Sequence, residues 1–104
     1  MYTIAETDLF TKDAADLWSD EDRDEFYEWL ALNPEVGRVI PGSGGCRKVR
    51  WKRENMGAQG GVRVIHYNRL ENGKIWLLVI YAKSVRGDIP AHILRQIKEA
   101  LDDA

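Results

Sequence analysis

The sequence predicts an α+β fold: an N-terminal helical hairpin packed on a small antiparallel β-sheet, with a C-terminal helix. Three observations carry this reading. Apolar residues recur at three-to-four spacing through the first third of the chain. Val, Ile, Trp and Tyr then concentrate between residues 46 and 82 in runs separated by glycine-bearing stretches. Beyond Pro90 the helical spacing returns.

Taken in order, residues 2–7 (YTIAET) read as a short edge strand. From Asp8 the pattern turns helical, with Leu9, Phe10, Ala14, Leu17 and Trp18 on one stripe. Ser19 and Asp22 stand at capping-box spacing, with Asp in place of the usual Glu or Gln, so a second helix opens there. Its apolar stripe is Phe26, Trp29 and Leu30, and Asp20, Glu21 and Asp22 lie in its first turn, where the helix dipole favours acids. Pro34 and Gly37 end it. Two short helices joined by a tight link form an αα-hairpin.

Strands are expected over 46–52, 62–69 and 74–82. Asn72-Gly73 is a turn signal that pairs the last two as an antiparallel hairpin. Residues 54–61 (ENMGAQGG) carry three glycines and read as a longer loop between the first two. Pro90 suits the first turn of the closing helix, whose apolar face is Ile93, Leu94, Ile97, Ala100 and Leu101.

At 104 residues the expectation is one domain spanning 1–104, long enough to bury a core without metal or disulfide staples. Cys46 is the single cysteine and has no internal partner, which fits a reducing compartment. The N-terminal residues lack the basic and apolar regions of a signal peptide. The longest apolar run, Ile75 to Ala82, falls far short of the roughly 20 residues that span a bilayer. The expectation is a soluble, cytoplasmic protein that does not contact membrane.

The net charge of −2 conceals a strong polarity. Residues 1–37 hold eleven acids and two bases, whereas residues 38–87 hold eleven bases and two acids. A basic surface on one part of a fold is a footprint of polyanion binding. The plainer alternative is that the acidic segment packs beside the basic one and neutralises it.

The stretch Cys46-Arg47-Lys48-Val49-Arg50-Trp51-Lys52-Arg53 sharpens the question. Side chains alternate across a strand, so Val49 and Trp51 on the core side place Lys48, Arg50 and Lys52 together on the other. Cations about 7 Å apart along one strand repel unless an anion visits that face, and phosphate is a good candidate. A charged edge strand guarding against aggregation is the competing explanation. Arg63 tips the balance. It interrupts the apolar strand Val62-Arg63-Val64-Ile65, where an unpaired charge is costly. Tyr81 and Lys83 fall at the end of the last strand, so pairing of neighbouring strands brings all of these into one basic cleft with an aromatic face, the chemistry of single-stranded RNA binding.

Other features read as structural. His66 sits mid-strand and His92 opens the last helix. Gly42-Ser43-Gly44-Gly45 is a turn, since no Gly-Lys-Ser/Thr follows it. No His, Cys or Asp spacing suggests a metal site, and no cofactor is expected. Trp18, Trp29, Trp51 and Trp76 are expected in the core.

The runs LNPEVGRVIPGSGGCRKVRW, GGVRVIHY and WLLVIYAKSVRGDIP, spread from Leu32 to Pro90, together resemble the HigB-type branch of the RelE/ParE superfamily of toxin–antitoxin toxins. The resemblance implies a RelE-like fold and a ribosome-dependent mRNA endonuclease, or mRNA interferase, that enters the ribosomal A site. Such an enzyme promotes attack of a ribose 2′-hydroxyl on the scissile phosphate and leaves a 2′,3′-cyclic phosphate. It implies a cognate helix-turn-helix antitoxin of the HigA type and, together with that antitoxin, operator DNA as a further partner. By the same resemblance Lys48, Arg63 and Lys83 are the candidate catalytic residues. Arg50, Lys52, Tyr67, Tyr81 and Arg86 are the candidate RNA contacts. Arg50 is assigned to phosphate because a guanidinium stays protonated, and Lys48 serves as a base only if neighbouring cations favour its neutral form. Two alternatives remain open: a gyrase-inhibiting toxin on the same fold, and an inactive remnant that still binds an antitoxin.

Overall fold

The computed structural model describes residues 2–51, 61–84 and 87–102. The elements run β1 (Thr3–Glu6), α1 (Asp8–Leu17), α2 (Asp20–Leu32), β2 (Arg38–Val39), β3 (Arg47–Trp51), β4 (Val62–Arg69), a 3₁₀ turn (Leu70–Asn72), β5 (Lys74–Ala82) and α3 (Ala91–Asp102). The α+β class, the helical hairpin and the closing helix are as the sequence predicts.

Caps fix the two N-terminal helices. The Thr7 hydroxyl accepts from the Phe10 amide and donates to the Leu78 carbonyl at 2.8 Å, which starts α1 and ties it to β5. The Ser19 hydroxyl accepts from the Asp22 amide at 3.1 Å and starts α2. Glu6, at the end of β1, accepts hydrogen bonds from the hydroxyls of Thr11 on α1 and Tyr27 on α2. Burial and that bond push the Tyr27 phenol well above its ordinary range.

The five strands form one sheet in the order β1-β5-β4-β3-β2. Pairing is antiparallel except between β1 and β5, which makes the sheet mixed where an all-antiparallel one was expected. β4 and β5 form the antiparallel hairpin expected around Asn72-Gly73. Arg69 pairs with Lys74, and the chain crosses between them through the 3₁₀ turn, with Gly73 at φ 71°. Leu70 packs against the core, and that burial draws the turn inward.

Each face of the sheet has its own core. On one face, Phe10, Phe26 and Leu30 of the hairpin meet Val49, Val62, Val64, Ile75, Leu77 and Ile80. An aromatic chain runs through this core, with Phe26 5.4 Å from Trp18 and 5.2 Å from Trp51, centroid to centroid. On the other face, Leu94 of α3 covers Cys46, Ile65, Leu78, Val79 and Tyr81. The register shifts between Ile65 and His66, where β5 carries an extra residue. Leu78 and Val79 therefore both serve the α3 face.

Candidate nucleic-acid cleft

Alternation along the strands decides which side chains reach the α3 face. On β4, Val62 and Val64 point to the helical hairpin, so Arg63 shares the opposite face with Ile65 and Tyr67. On β3, Val49 and Trp51 pack with the hairpin, which leaves Lys48 and Arg50 on the α3 side. The register then draws rows across the sheet. Arg50 pairs with Arg63, and Arg63 with Tyr81; Arg38 of β2 pairs with Lys48, and Lys48 with Ile65. α3 covers the middle of this face and leaves the end bearing these cations open.

The result is an open cleft of about 620 Å³, lined by Gly37, Arg38, Lys48, Val49, Arg50, Arg63 and Lys83. Gly37 has φ +85°, and a Cβ on it would lie 2.5 Å from the Lys48 carbonyl oxygen. Only glycine lets β2 lie this close to β3 and bring Arg38 to the rim.

Arg63 is half-buried, and its Nη1 is buried with no hydrogen-bond acceptor among the described residues. A guanidinium N–H left without an acceptor is costly. The arginine directly opposite, Arg50, adds repulsion. Neither contact helps the fold.

Asp88, in the segment before α3, meets two of the lysines that line this cleft. Its Oδ1 lies 3.0 Å from Lys83 Nζ, 3.3 Å from Lys48 Nζ and 3.5 Å from Tyr81 Oη. Hydrogen bonds from Lys83 and Lys48 hold the Asp88 carboxyl below its ordinary value. The anion expected on this face is thus present from within the chain. It also places a counter-charge beside Lys48, whose role as a base was conditional on neighbouring cations.

Tyr81 differs from the expected stacking platform: its ring is packed beneath α3, and the group it brings near Asp88 is its hydroxyl. Tyr67 lies four residues along β4 from Arg63, roughly 13 Å away. Lys98 of α3 sits over its ring at 5.0 Å, and Tyr67 does not line the cleft. Lys52 and Arg86 lie outside the described residues.

No protein-family model matches the chain. Solved structures are similar. An arginine-to-alanine double mutant of the E. coli toxin RelE in the free state superposes with a TM-score of 0.62, at 13% identity, over 93% of this chain and 96% of that one. The isolated E. coli RelE toxin gives 0.58 at 13% identity, over 96% and 99%. The intact E. coli RelBE toxin–antitoxin complex gives 0.60 at 15% identity, over 77% and 94%. The fold is that of RelE.

Within this RelE fold the remaining polar features are structural. His66 is buried, with Nε2 3.3 Å from the Val36 carbonyl and Nδ1 2.9 Å from the Asn68 side chain, and Asn68 donates to the Pro34 carbonyl. These contacts dock the segment leading to Gly37 and Arg38. Burial lowers the His66 pKa. The Cys46 thiol is buried and raised for the same reason. Ser43 Oγ accepts from the Cys46 amide and closes the glycine-bearing turn. His92 is exposed on α3. Among the described residues no group of His, Cys, Asp and Glu is arranged to hold a metal ion, and no helix is long and apolar enough to cross a membrane.

Arg38 and Asp88 are the two cleft residues that sequence reasoning missed. Arg38 lies in a two-residue strand, too short for an alternation signal. Asp88 meets Lys48 across 40 residues of sequence, and no local pattern marks such a pairing.

Proposed function

We propose that this protein is a ribosome-dependent mRNA endonuclease, the toxin of a toxin–antitoxin pair of the HigB type, acting in the cytoplasm. One observation carries the reading. Arg38, Lys48, Arg50, Arg63 and Lys83 converge on a part of the sheet that α3 leaves open, with an Arg63 N–H lacking an acceptor. Cations gathered at a stability cost are suited to a phosphodiester. The RelE fold supports the same assignment.

In this reading Arg63 and Arg50 hold the scissile phosphate, the planar guanidinium matching two of its oxygens. The 2′-oxygen attacks phosphorus, the bond to the 5′-oxygen breaks, and a 2′,3′-cyclic phosphate remains. Arg63 stabilises the charge that grows on the phosphoryl oxygens. Lys48 and Lys83, as ammonium groups at the same point, add to that field and supply a proton to the departing 5′-oxygen. The ribosomal A site aligns the 2′-hydroxyl for in-line attack and supplies the base that accepts its proton. A gyrase inhibitor requires no such convergence.

The partner is a helix-turn-helix antitoxin of the HigA type, encoded beside this chain, that covers the cleft or blocks ribosome entry; the pair binds operator DNA. The similar RelBE structure is itself a toxin–antitoxin complex. Induction in growing bacteria should arrest growth and produce new mRNA 5′ ends within translated frames. Co-expression of the adjacent frame should restore growth and give a stable complex. Growth without new mRNA ends, or no rescue and no complex, contradicts the proposal.

A further inference from the structure

Lys48 lies on β3 and Lys83 directly follows β5, on either side of β4, yet their ammonium groups meet at one oxygen, Asp88 Oδ1. Tyr81 Oη approaches the same atom. Tyr81 is the direct partner of Arg63 across the sheet. A single anionic oxygen therefore meets the cross-strand partner of Arg63, the arginine whose Nη1 lacks an acceptor.

We infer that Asp88 occupies an oxyanion subsite made by Lys48, Lys83 and Tyr81, and that a phosphodiester oxygen of the substrate takes its place. This rests on the proposed phosphate-binding role of the cleft and names where within it the phosphate sits. Asp88 is thereby an internal competitor that holds Lys48 and Lys83 until RNA arrives.

Three features make the carboxylate displaceable. Its side chain is 59% exposed, and exposed ion pairs are weak and screened by salt. It follows Gly87, which has open space around it, in a segment without helix or strand. A phosphodiester carries the same single negative charge on two oxygens but is not tethered to the chain, so it can give one oxygen to the lysines and turn the other toward Arg63. A group tethered this closely competes at millimolar effective concentration, enough to weaken modest RNA affinity measurably.

The test is binding of a fluorescein-labelled 2′-O-methyl RNA octamer, which cannot be cleaved because it lacks the 2′-hydroxyl. Anisotropy would be read for wild type, Asp88→Asn, Asp88→Asn/Lys48→Ala, and Glu71→Gln. Glu71 lies in the turn between β4 and β5, at the far end of the strands, and its variant makes the same change in net charge.

Asp88→Asn should lower Kd about tenfold at 50 mM salt and steepen the dependence of log Kd on log salt, because more cations are free to engage phosphates. Glu71→Gln should change Kd less than about twofold, and adding Lys48→Ala should remove most of the gain. Equal or weaker binding by Asp88→Asn, or no binding by either protein, overturns the inference, as does an equal gain from Glu71→Gln. Mapping of mRNA ends in induced cells separates the two readings. Cleavage with no gain from Asp88→Asn rejects the subsite alone, and a gain without cleavage rejects the endonuclease while the anion subsite stands.

Discussion

The two faces of the sheet are built from the same strands and to opposite ends. Toward the helical hairpin, Val49, Val62, Val64 and Ile75 meet Phe10, Phe26 and Leu30, and each of these side chains is buried against apolar neighbours. Toward α3 the apolar packing covers Ile65, Leu78 and Val79, then gives way to Lys48, Arg50, Arg63 and Lys83. Charge divides in parallel, with acids dominating residues 1–37 and bases residues 38–87. One face is apolar throughout; the other carries its own core under α3 and, at its open end, the unsatisfied Arg63 N–H and the Arg50–Arg63 like-charge pair. The lesson is that a single strand, β4, serves both purposes through alternation alone.

Mutations that keep stability and activity apart can break or sharpen this comparison. The largest effect is expected at Phe26, fully buried between Trp18 and Trp51. Phe26→Ala should cost about 3–5 kcal/mol of unfolding free energy by denaturant titration. A loss under 1 kcal/mol would mean the hairpin core is not what holds the sheet.

Arg63→Ala should do the reverse. Growth arrest should disappear, consistent with a 10²–10³-fold rate loss of about 3–4 kcal/mol in the barrier. Its melting temperature should hold or rise, since an unsatisfied N–H and a like-charge pair are both removed. Arg63→Lys should rescue activity only partly, because a point charge cannot make a bidentate contact. A marked fall in melting temperature would assign Arg63 to the fold instead.

Ser19→Ala removes the cap of α2 and should cost about 1 kcal/mol without touching activity, as read by melts beside growth assays. The smallest effect concerns pH. Asp88 has its folded-state pKa depressed by Lys83 and Lys48, so its stabilisation is present above the unfolded carboxylate value and is lost as pH falls through the lower folded value. Wild type should therefore melt slightly above Asp88→Asn at pH 7, with the gap closing as pH falls below the ordinary carboxylate range. A gap that widens in acid contradicts the ion-pair geometry.

Much of this was legible in the residues themselves. The Ser19 cap, the apolar stripes and the β3–β5 patterns are local signals, and local chemistry decides where those elements begin. The same alternation that places Val49 and Trp51 in the core places Lys48 and Arg50 opposite, and the register sets Arg63 beside Arg50. What stayed hidden depends on distant pairing. The parallel match of β1 with β5 joins residues about 70 apart, Thr3 with Lys74. β2 becomes a strand only because β3 is there to receive it. Tyr81 reads as a stacking surface and Tyr67 as an RNA contact because the sequence does not say how much of that face α3 and Lys98 cover. Asp88 reads as one more surface acid until Lys48 and Lys83 are seen to share it.

The central claim is that the open end of the α3 face cleaves mRNA on the ribosome and that Arg63 carries the rate. Purified wild type and Arg63→Ala should be incubated with a defined mRNA, free in solution and bound to programmed ribosomes with an empty A site, with primer extension mapping the cuts. Wild type should cut within the A-site codon on ribosomes and leave the free mRNA nearly intact. Arg63→Ala should cut 10²–10³-fold more slowly while melting at or above the wild-type temperature. Efficient cutting of the free mRNA, or a folded Arg63→Ala that cuts at the wild-type rate, would contradict the account.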